Sequence, residues 1–359
     1  MLQFIGRRLL FAIPVLIGIL VVTFFLARAI PGDPCKSILG EKATAEACER
    51  FAENKGLNDP LPIQFGIYMS DMVQGDFGDS IRFSRPVSQM LIERMPMTIE
   101  LGMTALIIAL LIGIPLGILA AMKHNTPTDV GTMIVANVGV SMPVFWLGLL
   151  LAYVFALLLQ GTFLELPPSG RITAGLISVP FYEAWGWTVN EDGFFGNILE
   201  FISNHFIFNS LITGDFEVFW DAIRHLILPA VALATIPMAV IARITRSSLL
   251  DTLGRDYVRT ARAKGAPERR VIARHAMSNA MLPVVTVVGL QMGVVFAGAV
   301  LTESVFGLAG IGTALVEAIT SRDFPVIQAI TVVAAAGYVI INMLVDISYA
   351  YLDPRIRLE

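Results

Sequence analysis

The residues best suited to chemistry lie in Asp256 to Pro283, DYVRTARAKGAPERRVIARHAMSNAMLP, where Arg259, Arg262, Lys264, Arg269, Arg270 and Arg274 crowd together. Clustered cations of this kind bind acidic protein clefts or lipid phosphates; they do not by themselves make or break bonds. The rest of the chain offers no stronger chemistry. Its four histidines (His124, His205, His225 and His275) are scattered without metal-ligand spacing, and no GxxxxGK[ST] phosphate loop is present. No catalytic residue, metal site or cofactor of the chain's own is expected, nor any nucleic-acid partner.

Gly265 divides the basic stretch into two predicted short helices. Glycine accepts the positive φ of a helix end, Pro267 suits the first turn of the next helix, and Glu268 complements that helix's positive pole. The expected product is a helix–turn–helix knob with Ala261, Ala263, Gly265 and Ala266 at its tip. Small residues there suit insertion into a protein cleft. Attachment to anionic headgroups, at about 1 kcal/mol per Lys or Arg, is the competing reading.

The elements that must position this knob are membrane helices. Of the 359 residues 55% are hydrophobic and only 15% charged, and the mean hydropathy is +0.72, beyond the usual range of soluble domains. Leu9 to Ala27 is an uncharged run long enough to cross about 30 Å of hydrocarbon. It is followed by Arg28 and PGDP rather than a cleavage site, so it reads as an uncleaved first span. Further spans are expected at Leu101 to Met122, Val130 to Leu159, Leu226 to Ile244, Leu282 to Leu301 and Val326 to Tyr349. The fold class is therefore an all-α integral membrane protein with about six spans, large outer loops and a basic knob.

Charge sets the orientation. Arg243 to Asn279 holds nine Lys/Arg against three Asp/Glu, a net +6, whereas Gln160 to Asp221 is net −7. Positive loops stay in the cytoplasm, which puts the knob and both termini inside. Cys35 and Cys48 then share the first outer loop, where they either close a disulfide or remain two unpaired small residues. The expected division is a first span at 1–30, an outer loop at 31–97 and a core at 98–351. That core contains the outer loop 161–221 and the basic loop 252–280, and a tail follows at 352–359.

Within the spans, Pro143 should kink the third helix near Ser141, and Asn137 and Gln291 are polar residues at depth. These four are candidates for a transport pathway, against the plainer reading of helix breaks and interhelical hydrogen bonds. Gly113 with Gly117, and Gly289 with Gly293, mark close helix packing. Glu100 and Glu303 are expected to reach water from the outer helix ends. Residues 161–221 also hold 13 of the 33 aromatics, which fits segments lying at the interface or a platform for an external protein.

The basic stretch resembles the EAA-type coupling loop of ABC importer permeases. Arg259, Thr260 and Ala261 stand where that family has Glu-Ala-Ala, three residues before Gly265. Arg259 and Thr260 depart from the pattern, and Pro283 lies five residues beyond the usual Ile-x-Leu-Pro position. The departures are similar to those of the dipeptide and oligopeptide subgroup, whose RTARAKG and RNALLPV blocks have counterparts here in RTARAKG and SNAMLPV, with Ser278 where Arg is usual. So do RRLLFAIPVLIG at Arg7, PGDP at Pro31, GLNDPLPIQ at Gly56, GDFGDS at Gly75, LTESVFGLAGIG at Leu301, RDFPVIQ at Arg322 and LDPRIR at Leu352.

The resemblance implies a type I importer permease in the inner membrane of a bacterium or archaeon. Its partners would be a second homologous permease, two ATPase subunits holding ATP and Mg²⁺, and an extracytoplasmic substrate-binding protein. Arg259, Thr260, Ala261, Ala263, Lys264, Gly265 and Ala266 would then form the ATPase-coupling surface. Peptides are the expected cargo, with nickel chelates, glutathione and oligosaccharides as alternatives on the same architecture. An ion-coupled secondary transporter would instead call for mid-membrane ionisable residues, and a membrane anchor for a knob that binds lipid.

Overall fold

The computed structural model describes residues 2–29, 43–54, 58–80, 82–190 and 193–352. Among these, helices account for nearly all regular structure, and the only extended pairing is an isolated bridge between Asp79 and Pro86. In chain order the helices are α1 (Leu2–Ala29), α2 (Ala45–Asn54), α3 (Leu61–Gln74), α4 (Val87–Met122), α5 (Pro127–Ser141) and α6 (Val144–Ala152). A π-helical turn, Tyr153–Leu158, prolongs α6. There follow a single helical turn at Phe181–Ala184, then α7 (Phe194–Ser203), α8 (Phe206–Thr213), α9 (Phe216–Leu253), α10 (Asp256–Ala263) and α11, which runs from Glu268 to Phe306 through a π turn at Val271–Ala276. The last two are α12 (Ile311–Ser321) and α13 (Phe324–Leu352).

Five of these helices are long and apolar enough to cross a membrane, six if the bent pair α5 and α6 counts as one span. Several outrun the apolar stretches that identify them. At 38 residues, α9 is roughly 57 Å long by its rise per residue, so it projects beyond the hydrocarbon at both ends. The Asp215 side chain accepts the Val218 N–H at its start and fixes the first turn. Charged residues beyond a span need not end a helix when each finds a partner.

The core forms where α4, α9 and α11 meet. Leu101, Ala105 and Ala109 of α4 pack with Leu228, Leu233 and Ile241 of α9 and with Val284, Val295 and Phe306 of α11. Small residues set the spacing, as expected. A Cβ added at Gly113 would stand 2.8 Å from the Met238 carbonyl, and one at Gly117 only 2.5 Å from that of Ala242. The other pair faces α13, with Gly289 against Val345 and Gly293 against Tyr338.

Those last contacts run antiparallel, so the second half of α13 lies alongside the middle of α11. Arg8 of α1 pairs with Asp346 of α13 at 2.9 Å. The N-terminal part of α1 and the C-terminal part of α13 are thus joined to each other.

Two expectations are corrected here. The third span is no kinked helix but a break: α5 and Val144–Leu158 meet at 99°. Met142 precedes proline and is driven into the extended region (φ −107°, ψ 137°), and two non-helical residues are enough to turn the chain. Nor does Glu303 reach water, while Glu100 is held mostly inside by Arg171. Glu303 is wholly buried, because helices on both sides supply it with hydrogen bonds.

Its carboxyl accepts the Thr98 hydroxyl at 2.5 Å and the Thr313 N–H at 3.0 Å, while Thr98 Oγ1 accepts the Ile311 N–H. The first N–H groups of α12 are thus satisfied by side chains of α4 and α11. At the same end Glu100 pairs with Arg171 at 2.7 Å and accepts the Ile207 N–H. The Arg171 guanidinium also donates to the Asn204 carbonyl and lies 3.6 Å over the Phe206 ring. Burial pulls its pKa below the ordinary arginine range, and the Glu100 carboxylate pulls it back up.

Candidate functional site

The basic knob is built from its buried side outward. Val258 and Ala261 of α10, three residues apart, share one face and pack with Val271, Ala276 and Ala280 of α11. Ala121 of α4 and Leu249 of α9 complete the cluster. The knob is therefore seated on the ends of the two most closely packed helices in the bundle. Displacing it displaces both.

Gly265 makes the turn with φ +77° and its N–H bonded to the Arg262 carbonyl. Nothing lies within 4 Å of a Cβ placed there, so conformation rather than space demands glycine. Pro267 is the N-cap of α11. Across the turn Arg262 forms a two-pronged pair with Glu268, at 2.6 and 3.1 Å, which sets the angle between α10 and α11. The second limb is no short helix, as expected from the sequence, but the first turns of α11 itself. The knob joins a membrane helix with no flexible linker between them.

Of the seven predicted coupling residues, Arg259, Thr260, Ala263, Lys264 and Gly265 are exposed along the outer side of α10 and the turn. Ala261 and Ala266 belong to the inner cluster instead. Their small size serves the knob's own packing rather than a smooth tip. Arg259 is nearly free in water, with Asp256 3.6 Å away. Beside the knob a cleft of about 610 Å³ opens between Ser248, Thr252, Tyr257, Asn279 and Pro283, and Asn279 Nδ2 donates to the Tyr257 hydroxyl across it.

Of the four pathway candidates, Asn137, Ser141 and Pro143 lie together at the break and Gln291 lies on another helix. Asn137 and Ser141 are exposed near the break at Pro143, each bonded to a carbonyl of its own helix. Gln291 is buried on α11, and its Oε1 has no partner. Cys48 lies on α2, but Cys35 falls outside the described residues.

One feature at the knob end was missed. Asp129 of α5 grips Arg246 of α9 through two hydrogen bonds, 2.7 and 2.6 Å, and also accepts the Asn125 N–H. The sequence did carry a signal: each is an isolated charge beside an apolar run, and a charge so placed needs a partner.

A membrane bundle with an exposed basic knob seated on its main helices has the form of a transporter's membrane component. The chain belongs to the family of binding-protein-dependent transport system inner membrane components, whose model matches residues 113–358, with the family's N-terminal model matching residues 1–102. It is a membrane permease of the ABC transport class with the type I permease fold.

Its relatives include the dipeptide transport system permease protein DppB of Alkalihalophilus pseudofirmus, 44% identical over 99% of this chain and 100% of the relative. The DppB of Escherichia coli is 41% identical over 99% of both chains. The oligopeptide transport system permease protein AppB of Bacillus subtilis is 39% identical over 99% of this chain and 100% of its own length.

Proposed function

We propose that this permease imports dipeptides or short oligopeptides, with the knob around Gly265 receiving the motion of partner ATPases. The observation that carries the cargo assignment is the end-to-end likeness to relatives named for dipeptide and oligopeptide transport. The knob's geometry supports the coupling role. Its exposed side is free to enter a partner's groove, and its buried side bears on α4, α9 and α11. Nucleotide-driven closure of the ATPases then biases the bundle between inward-open and outward-open arrangements as a rigid-body movement.

In this reading the knob and both termini face the cytoplasm, because the knob loop is net +6 and the opposite loop net −7. A second permease completes the pathway, two ATPases hold ATP and Mg²⁺, and an extracytoplasmic binding protein delivers cargo at the loop end. Peptide uptake by vesicles containing the whole assembly tests the assignment. ATP-dependent accumulation of a labelled dipeptide, competed by other short peptides, is expected. Accumulation driven by an ion gradient without the ATPases would overturn it.

A further inference from the structure

We propose that α7, α8 and the first turns of α9, together with Trp185 and Trp187, form a lipid-anchoring belt that rests its aromatic side chains among the zwitterionic headgroups of the adjoining leaflet. This rests on the membrane-spanning fold and not on the cargo or the ATPases. The side chains concerned are only partly covered by the chain itself. Phe194 and Phe195 of α7 are 76% and 78% exposed and Trp220 of α9 is 60% exposed, while Trp185, Trp187 and Phe208 are each about half exposed.

Their level decides the occupant. The Ile207 N–H is bonded to Glu100 at 2.9 Å, which holds α8 at the residue where the apolar run Leu101 to Met122 begins. α7 packs against α4 as well. Trp220 stands on a spanning helix, six residues before Leu226, or about 9 Å along its axis. The exposed rings therefore sit at the boundary of the hydrocarbon, where an aromatic ring gains from apolar contact on one side and water on the other. An external protein would have to reach down into the headgroup layer to cover them.

Charge narrows the lipid. Residues 160–221 are net −7, and Glu183 and Glu217 are exposed beside the rings, so anionic headgroups are repelled and zwitterionic ones are tolerated. The opposite end lacks such a belt: between Arg243 and Asn279 the only aromatic is Tyr257.

Tryptophan fluorescence of the full-length permease in phosphatidylcholine nanodiscs tests the belt. One variant keeps only Trp220 (Trp146→Phe, Trp185→Phe and Trp187→Phe), and another keeps only Trp187. A spin label near the lipid headgroup should quench either tryptophan several-fold more than a label at the acyl terminus, and aqueous acrylamide should quench weakly. Adding phosphatidylglycerol should reduce the lipid quenching. In the Trp220-only background, Phe194→Glu combined with Phe195→Glu should raise acrylamide access while helix content stays unchanged. Free acrylamide quenching with no effect of either lipid label would overturn the proposal. So would shielding that arises only when the purified extracytoplasmic binding protein is added, which would make the surface a protein dock.

Discussion

At the scale of single residues, the knob depends on a backbone conformation and the opposite end on a buried carboxyl. Gly265 has room for a side chain but holds φ +77°. Gly265→Val should therefore strain the turn by about 1–3 kcal/mol, whereas Gly265→Asn, which tolerates the left-handed region, should strain it less. Co-purification of the ATPases is expected to fall with valine and largely to persist with asparagine, while membrane insertion is unchanged in both. Arg259 offers a contrast: as an exposed charge it contributes about 0–1 kcal/mol in a surface pair. Arg259→Ala should retain most uptake, and Arg259→Glu, which reverses the field at a docking face, should lose much more. Glu303 should behave as a structural pin. Glu303→Ala leaves buried N–H groups of α12 without acceptors, at about 1–3 kcal/mol for each group, and should lower the melting temperature in detergent. Glu303→Gln keeps an acceptor and should recover most of that loss.

At the scale of elements, α4 and α9 move as a pair because backbone meets backbone. A Cβ at Gly117 would stand 2.5 Å from the Ala242 carbonyl and 2.6 Å from Thr245 Cβ. Gly117→Leu should thus separate the helices that seat the knob, reducing both thermal stability and uptake, whereas Gly131→Leu on α5, with open space around it, should leave both near wild type. The spans and the knob were legible in the sequence because apolar runs, prolines, glycines and clustered arginines are local signals. Gly113 and Gly117 announced their packing in the same way. What was not legible required knowing which element lies opposite. Glu303 read as a helix-end charge until Thr98, 205 residues away in the chain, was placed beside it. Asp129 and Arg246 are 117 residues apart, and the turn at Met142 sharpened from a kink into a break only through the backbone of two residues.

At the scale of the whole molecule, the bundle has a polar fastening at each end. Glu100, Arg171, Glu303 and Thr98 bind the outer helices to α4, while Asp129 and Arg246 bind α5 to α9 above the knob. Between them the core is largely apolar, so under the proposed coupling a push on α10 would pass through packed side chains rather than through a chain of charges. The proposed orientation follows from the contrast between a net +6 loop and a net −7 loop. The claim on which this account turns is that the exposed turn beside Gly265 touches a nucleotide-hydrolysing partner. Site-directed crosslinking from Lys264→Cys in the assembled transporter, with Cys35 and Cys48 replaced, measures that contact directly. The account predicts a crosslink to an ATPase subunit that abolishes or alters ATP-driven uptake. A cysteine at that position that reaches no ATPase, in an assembly that still transports, would contradict it.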